Sequence, residues 1–153
     1  MKYVAILLLV GFSLGCNVVD PVSISGSVEK ISPVAFANAA VTILHEEGYT
    51  VETVDPMAGV VTTGWRYESS YASQTFFDVS RRTRISVVMN FFTHEVNVQM
   101  TKQKRSGDDP WRNNGLSDAD RDRLQLILAR IQERIRLIAQ REAEVVATKR
   151  SIW

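Results

Sequence analysis

The chain has 153 residues, 45% hydrophobic and 23% charged, with one cysteine and a formal net charge of +1 at pH 7. These proportions suit an ordinary globular domain and exclude a disordered polyelectrolyte, a collagen-like repeat and a disulfide-stapled scaffold. A nearly neutral balance gives no global steering toward nucleic acid, which is not an expected partner. The charge is unevenly spread, however. Residues 16–80 carry two basic side chains, Lys30 and Arg66, against eight acidic ones, whereas residues 81–153 carry fifteen basic against nine acidic. Either the two halves face one another or solvent, or the second half offers a basic surface to anionic lipid.

At the start of the chain, Lys2 precedes an apolar run from Tyr3 to Phe12, and small Gly15 stands directly before Cys16. A run of about ten residues is within the range of an export signal and too short to span a bilayer, which needs ~20. Gly15-Cys16 resembles the lipobox of bacterial lipoproteins, although Ser13 and Leu14 stand where that motif favours Leu and a small residue. The resemblance implies that residues 1–15 are a signal peptide removed by cleavage, and that the Cys16 sulfur carries a diacylglyceryl group. The membrane is then the first partner, through acyl chains on Cys16. The competing reading is a free or buried thiol behind an ordinary secretory signal. A lone cysteine cannot form an internal disulfide, and lipidation best accounts for its solitude. Asn17 occupies the position where Asp retains enteric lipoproteins in the inner membrane, so the resemblance implies an outer-membrane, periplasm-facing location.

Residues 16–30 read as a tether, being small and polar around Asp20, Pro21, Ser23, Ser25, Gly26 and Ser27. Val22 and Ile24 alternate with serines, and a brief edge strand is the alternative there. Ser32-Pro33 marks a helix start, and the spacing of Phe36, Ala39, Ala40, Ile43 and Leu44 predicts a helix over 33–46, stopped by Gly48. Tyr49 to Val54 and Val60 to Trp65, around the turn Asp55-Pro56-Met57-Ala58-Gly59, predict a hairpin. Phe76-Phe77 lies in a segment without a periodic signal. Ile85, Val87, Met89 and Phe91 alternate along one strand, and Val96, Val98 and Met100 along its partner after a turn at Thr93-His94. A polar connection around Trp111 leads to Ser117, which caps a long helix ending near Thr148, with an apolar stripe from Leu124 to Ile138. The order predicts a single α+β domain over 31–153, a two-layer sandwich with an antiparallel sheet of about four strands and two helices packed on one face.

No catalytic motif accompanies these elements. His45 and His94 are about fifty residues apart and lack ligand spacing. Asp118, Asp120 and Asp122 imitate the start of a calcium loop, but Arg123 replaces its glycine and Ala129 its closing glutamate. No enzyme, cofactor or metal site is expected. Trp65, Tyr67 and Tyr71 are candidate contact residues, because large rings supply much of the energy of protein interfaces.

A helix ending in Gly48-Tyr49, a strand with the acidic turn residue Asp55, and Gly59 leading into a second strand ending in Gly64-Trp65-Arg66 make a further pattern. Over residues 33–104 it is similar to the repeated domain of the C-component lipoprotein of the outer-membrane β-barrel assembly machinery. That likeness implies a helix-grip-like sandwich and a non-catalytic accessory or interaction module in the cell envelope, with an envelope protein as partner. That lipoprotein has two such domains and a long unstructured N-terminal segment, a pattern this sequence does not show. The alternative function is a lipid- or peptide-binding carrier with a groove between helix and sheet.

Overall fold

The computed structural model describes residues 22–68 and 79–150. Cys16, the signal stretch, residues 16–21 of the expected tether, Tyr71, Phe76 and Phe77 lie outside the described residues. In chain order the elements are β1 (Val22–Ser27), α1 (Pro33–Glu46), β2 (Val51–Asp55), β3 (Val60–Thr63), β4 (Arg66–Glu68), β5 (Val79–Asn90), β6 (Glu95–Ser106), β7 (Arg112–Asn113) and α2 (Asp118–Arg150).

The strands form one antiparallel sheet in the order β1-β6-β5-β3-β2, with β4 on β5 and β7 on β6. Seven strands replace the expected four or so. The excess comes from three short segments: β4 continues the line of β3 along β5, β1 pairs on the free edge of β6, and β7 pairs farther along that same edge. The seven strands therefore fill five positions. The tether is corrected over 22–27, where Val22 to Ser27 pair with Met100 to Glu95. The alternation of Val22 and Ile24 with exposed serines is that of an edge strand with one half-buried face.

The long β5–β6 ladder organises the core. Ile85, Val87 and Met89 of β5 and Val96, Val98 and Met100 of β6 point to one face and are buried. Both helices cover that face. Ser32 caps α1 by accepting a hydrogen bond from the Ala35 amide at 3.2 Å, and Pro33 sits in the first turn, where no amide partner is lost. The helix packs Phe36, Ala40, Ile43 and Leu44 inward, and Phe36 meets Phe91 edge-on with ring centroids 6.0 Å apart. From α2 come Leu124, Ile127, Ile131 and Ile135, all fully buried. Each such aliphatic side chain contributes about 1.5–3 kcal/mol when fully buried. From Gln140 to Thr148 the helix is exposed on every side, so these turns stand clear of the sheet.

Candidate interaction surface

With both helices on one face, the other face of the sheet is uncovered among the described residues, and Trp65 and Trp111 lie there. The cause is a bulge. Thr62 pairs with Ser86 and Arg66 with Thr83, so four steps on one strand match three on the other. One extra residue reverses the inward–outward alternation. Without it Arg66 and Glu68 would share the open face with Thr62; with it they turn inward, and Trp65 and Tyr67 turn out. Gly64 eases the bend, its amide bonding the Thr50 carbonyl at 2.9 Å.

On the open face Arg82 lies between two indoles, its guanidinium carbon 4.2 Å from the Trp65 ring centroid and 4.1 Å from that of Trp111. Its Nε and NH2 both donate to Gln103 Oε1, at 2.9 and 2.7 Å, which fixes the plane of the fork for stacking. Arg84 approaches Trp65 at 4.9 Å, and Arg105 approaches Trp111 at the same distance. Tyr67 meets Trp111 edge-on at 6.1 Å and remains 62% exposed. Arg82, Arg84 and Arg105 form no ion pair with a described carboxylate. They therefore offer donors and positive charge outward, on a platform of rings. Each stacked contact is worth about 0.5–1 kcal/mol where exposed, more where desolvated.

Trp65 and Tyr67 are thus brought together; Tyr71 lies outside the described residues. Sequence reading missed Trp111 and Arg82 as their neighbours. Trp111 stood in an unstructured connection, and its placement depends on the two-residue β7, where Arg112 and Asn113 pair with Lys104 and Gln103.

The inward-turned residues brace the opposite side. Glu68 accepts from the Thr83 hydroxyl at 2.7 Å and lies 3.4 Å from Lys102, which also bonds Asp120 at 3.1 Å. Asp120 closes a reciprocal capping box at the start of α2, accepting from both the amide and the hydroxyl of Ser117. Burial alone would raise the Asp120 pKa, but the Ser117 hydrogen bonds and the hydrogen bond and charge of Lys102 together hold it below its ordinary value. The stability this carboxylate contributes is therefore present above its unfolded pKa of about 3.9 and lost as pH falls through the lower folded value. In urea melts, the gap between the protein and Asp120→Asn should be wide near pH 6 and shrink progressively as the pH is taken below the unfolded value of about 3.9. A gap equal on both sides of that value would show that the charge of Asp120 is not what stabilises the cap.

At the other end of α1, Arg66 and Arg123 both donate to the Glu47 carbonyl, at 3.2 and 3.0 Å, and Arg66 stacks 4.2 Å above Tyr49. Arg130 reaches Glu46 and Glu47, tying the two helices together. Burial pushes the Tyr49 phenol upward in pKa, with Arg66 and Arg123 opposing it, and its hydroxyl has no partner among the described residues. This group is a helix-end clasp. His45 and His94 stand apart, one on α1 and the other in the β5–β6 turn. Among the described residues no set of three or more His, Cys, Asp or Glu side chains could hold a metal, and no helix is long and apolar enough to cross a membrane.

For the carrier alternative, the relevant space is a cleft of about 340 Å³ between the end of β1 and α2, lined by Ser27, Val28, Glu29, Gln132, Glu133 and Arg136 among others. Its lining mixes apolar Val28 and Ala129 with charged Glu29, Glu133 and Arg136.

No family model matches the chain, and no curated protein matches it. A crystal structure of a DUF4468 family protein from Bacteroides ovatus is similar over 84% of both chains, at 12% identity and a TM-score of 0.43. That likeness is too distant to transfer a function.

Proposed function

We propose that this chain is a non-catalytic outer-membrane lipoprotein, anchored through acyl chains on Cys16, whose open sheet face is a docking surface for an envelope protein. The observation that carries this reading is the Trp65–Arg82–Trp111 stack on a face that neither helix covers. Aromatic rings and arginine are the residue types most enriched among binding hot spots, and here the arginine is held rigid by Gln103 before any partner arrives. The resemblance of residues 33–104 to the assembly-machinery lipoprotein supports an accessory role in envelope assembly, and the signal stretch ending at Cys16 supports the anchor.

Crosslinking in intact envelopes tests both parts. Cys16→Ser should shift the protein from the membrane to a soluble fraction or leave it with an uncut signal, visible as a higher mass. Trp65→Ala should leave fractionation unchanged and reduce recovery of the crosslinked partner about tenfold, the effect of losing one hot-spot ring. Undiminished crosslinking in Trp65→Ala would remove the open face from the docking role.

A further inference from the structure

The β5–β6 ladder is longer than the layer that covers it, and its far end has a composition unlike the rest of the molecule. There Arg81 pairs with Lys104, Ser80 with Arg105, and Arg112 of β7 lies beside Lys104. Arg81, Lys104, Arg105 and Arg112 are all exposed. None of the four forms an ion pair with a described carboxylate. The nearest described acids in sequence are Asp108 and Asp109 in the turn after β6, while Glu68 and Asp120 are occupied by Lys102. Trp111 borders the cluster, stacked by Arg105. The opposite end of the sheet has no such concentration: its turns present Met57, 81% exposed, and Phe92, 99% exposed.

The direction of β1 decides what this basic end can meet. Val22 pairs with Met100 and Ser27 with Glu95, so the chain enters β1 from the side toward which β6 runs on to Ser106. Five residues, 17–21, separate Val22 from the proposed anchor at Cys16, and the six steps between them span at most about 20–22 Å. The six ladder positions from Thr101 to Ser106 cover about 20 Å. An anchor at Cys16 therefore keeps the basic end within reach of the bilayer surface, with the apolar turns facing away.

We infer that the strand end bearing Arg81, Lys104, Arg105 and Arg112 docks on anionic phospholipid headgroups of the membrane that holds the anchor, with Trp111 at the interface. Cations attract anionic leaflets additively within a Debye length, and indole rings settle at the headgroup level. Docking by this end stands the strands upright on the membrane and turns the Trp65 face sideways, open to a protein in the same plane. The inference rests on anchorage at Cys16; it shares Arg105 and Trp111 with the open face, whereas Arg81, Lys104 and Arg112, which carry its test, lie outside the Trp65–Arg82–Trp111 stack.

The test uses the purified lipoprotein reconstituted into vesicles of phosphatidylcholine alone or with phosphatidylglycerol, labelled by a water-soluble amine reagent and read residue by residue. Lys104 labelling should fall about tenfold in the anionic vesicles and recover in about 1 M salt, where the Debye length is about 3 Å. Lys30, exposed near the other end, should label equally in both. The double variant Arg81→Glu with Arg112→Glu, both at exposed positions, should lose the protection. Equal Lys104 labelling in the two vesicles, or protection that survives charge reversal or salt, overturns the lipid assignment and leaves a protein-facing end. Failure of the protein to stay with either vesicle overturns the anchor, and the inference with it.

Discussion

Ile131→Asp is expected to unfold the domain or to leave it soluble only with a melting temperature lowered by tens of degrees. Ile131 has no exposed surface and lies in the α2 stripe between α1 and the sheet, among Leu124, Ile127, Leu128 and Ile135. Removing the aliphatic side chain alone costs about 2–5 kcal/mol, as in Ile→Ala. A carboxylate there adds the cost of a buried charge without a partner, several kcal/mol more unless it takes up a proton. The sum approaches the whole stability of a small domain, about 5–15 kcal/mol. Leu137→Asp, on the same helix but 45% exposed, is the control and should shift the melt by a few degrees at most. A helix that served only to bind another protein would tolerate both changes in the isolated chain. Equal melting curves for Ile131→Asp and the parent would therefore remove α2 from the core.

What was legible in the sequence follows from how local each signal is. The periodicity of Phe36, Ala40 and Leu44 with Ser32-Pro33 ahead of it marked α1 within its own fourteen residues, 33–46. The alternation of Ile85, Val87 and Met89 against Val96, Val98 and Met100 likewise carries the β5–β6 hairpin, because one covered face imposes a period of two. Ser117 capping was readable for the same reason. The short strands were harder: the alternation of Val22 and Ile24 admits β1 only as the alternative to a tether, Arg112–Asn113 has too few residues for a pattern, and each exists because β6 offers an unpaired edge. Nor could the Trp65–Arg82–Trp111 stack be foreseen. Its three members come from separate stretches, and the bulge that turns Trp65 and Tyr67 outward is visible only once the registers of β3 and β4 on β5 are compared. Aromatic content alone suggested Trp65 and Tyr67; only pairing reveals that an arginine and a third ring complete the surface.

Gly59→Ala is expected to cost clearly more than Gly48→Ala. Gly59 ends the β2–β3 turn at φ +68°, a conformation that costs an ordinary residue about 1–2 kcal/mol. A Cβ built there would also stand 2.5 Å from the Met89 carbonyl oxygen and 2.9 Å from the Phe91 ring. The carbonyl belongs to the backbone of β5 and cannot rotate aside, because the turn is sewn to it: the Met89 amide donates to the Gly59 carbonyl at 2.8 Å. Relieving the clash must separate β3 from β5 or displace Phe91, which packs on Phe36, and such overpacking adds about 1–3 kcal/mol. Gly48 supplies the comparison. It also has a positive φ, +78°, but an added Cβ finds only the Arg66 guanidinium, 3.7 Å away. Gly48→Ala should therefore show the conformational term alone. Thermal melts of the two variants should differ by roughly 5–10 °C, Gly59→Ala being the lower. Coincident melts would mean that the β2–β3 turn does not press on β5 as closely as the register requires, and the sheet order at that edge would have to be redrawn.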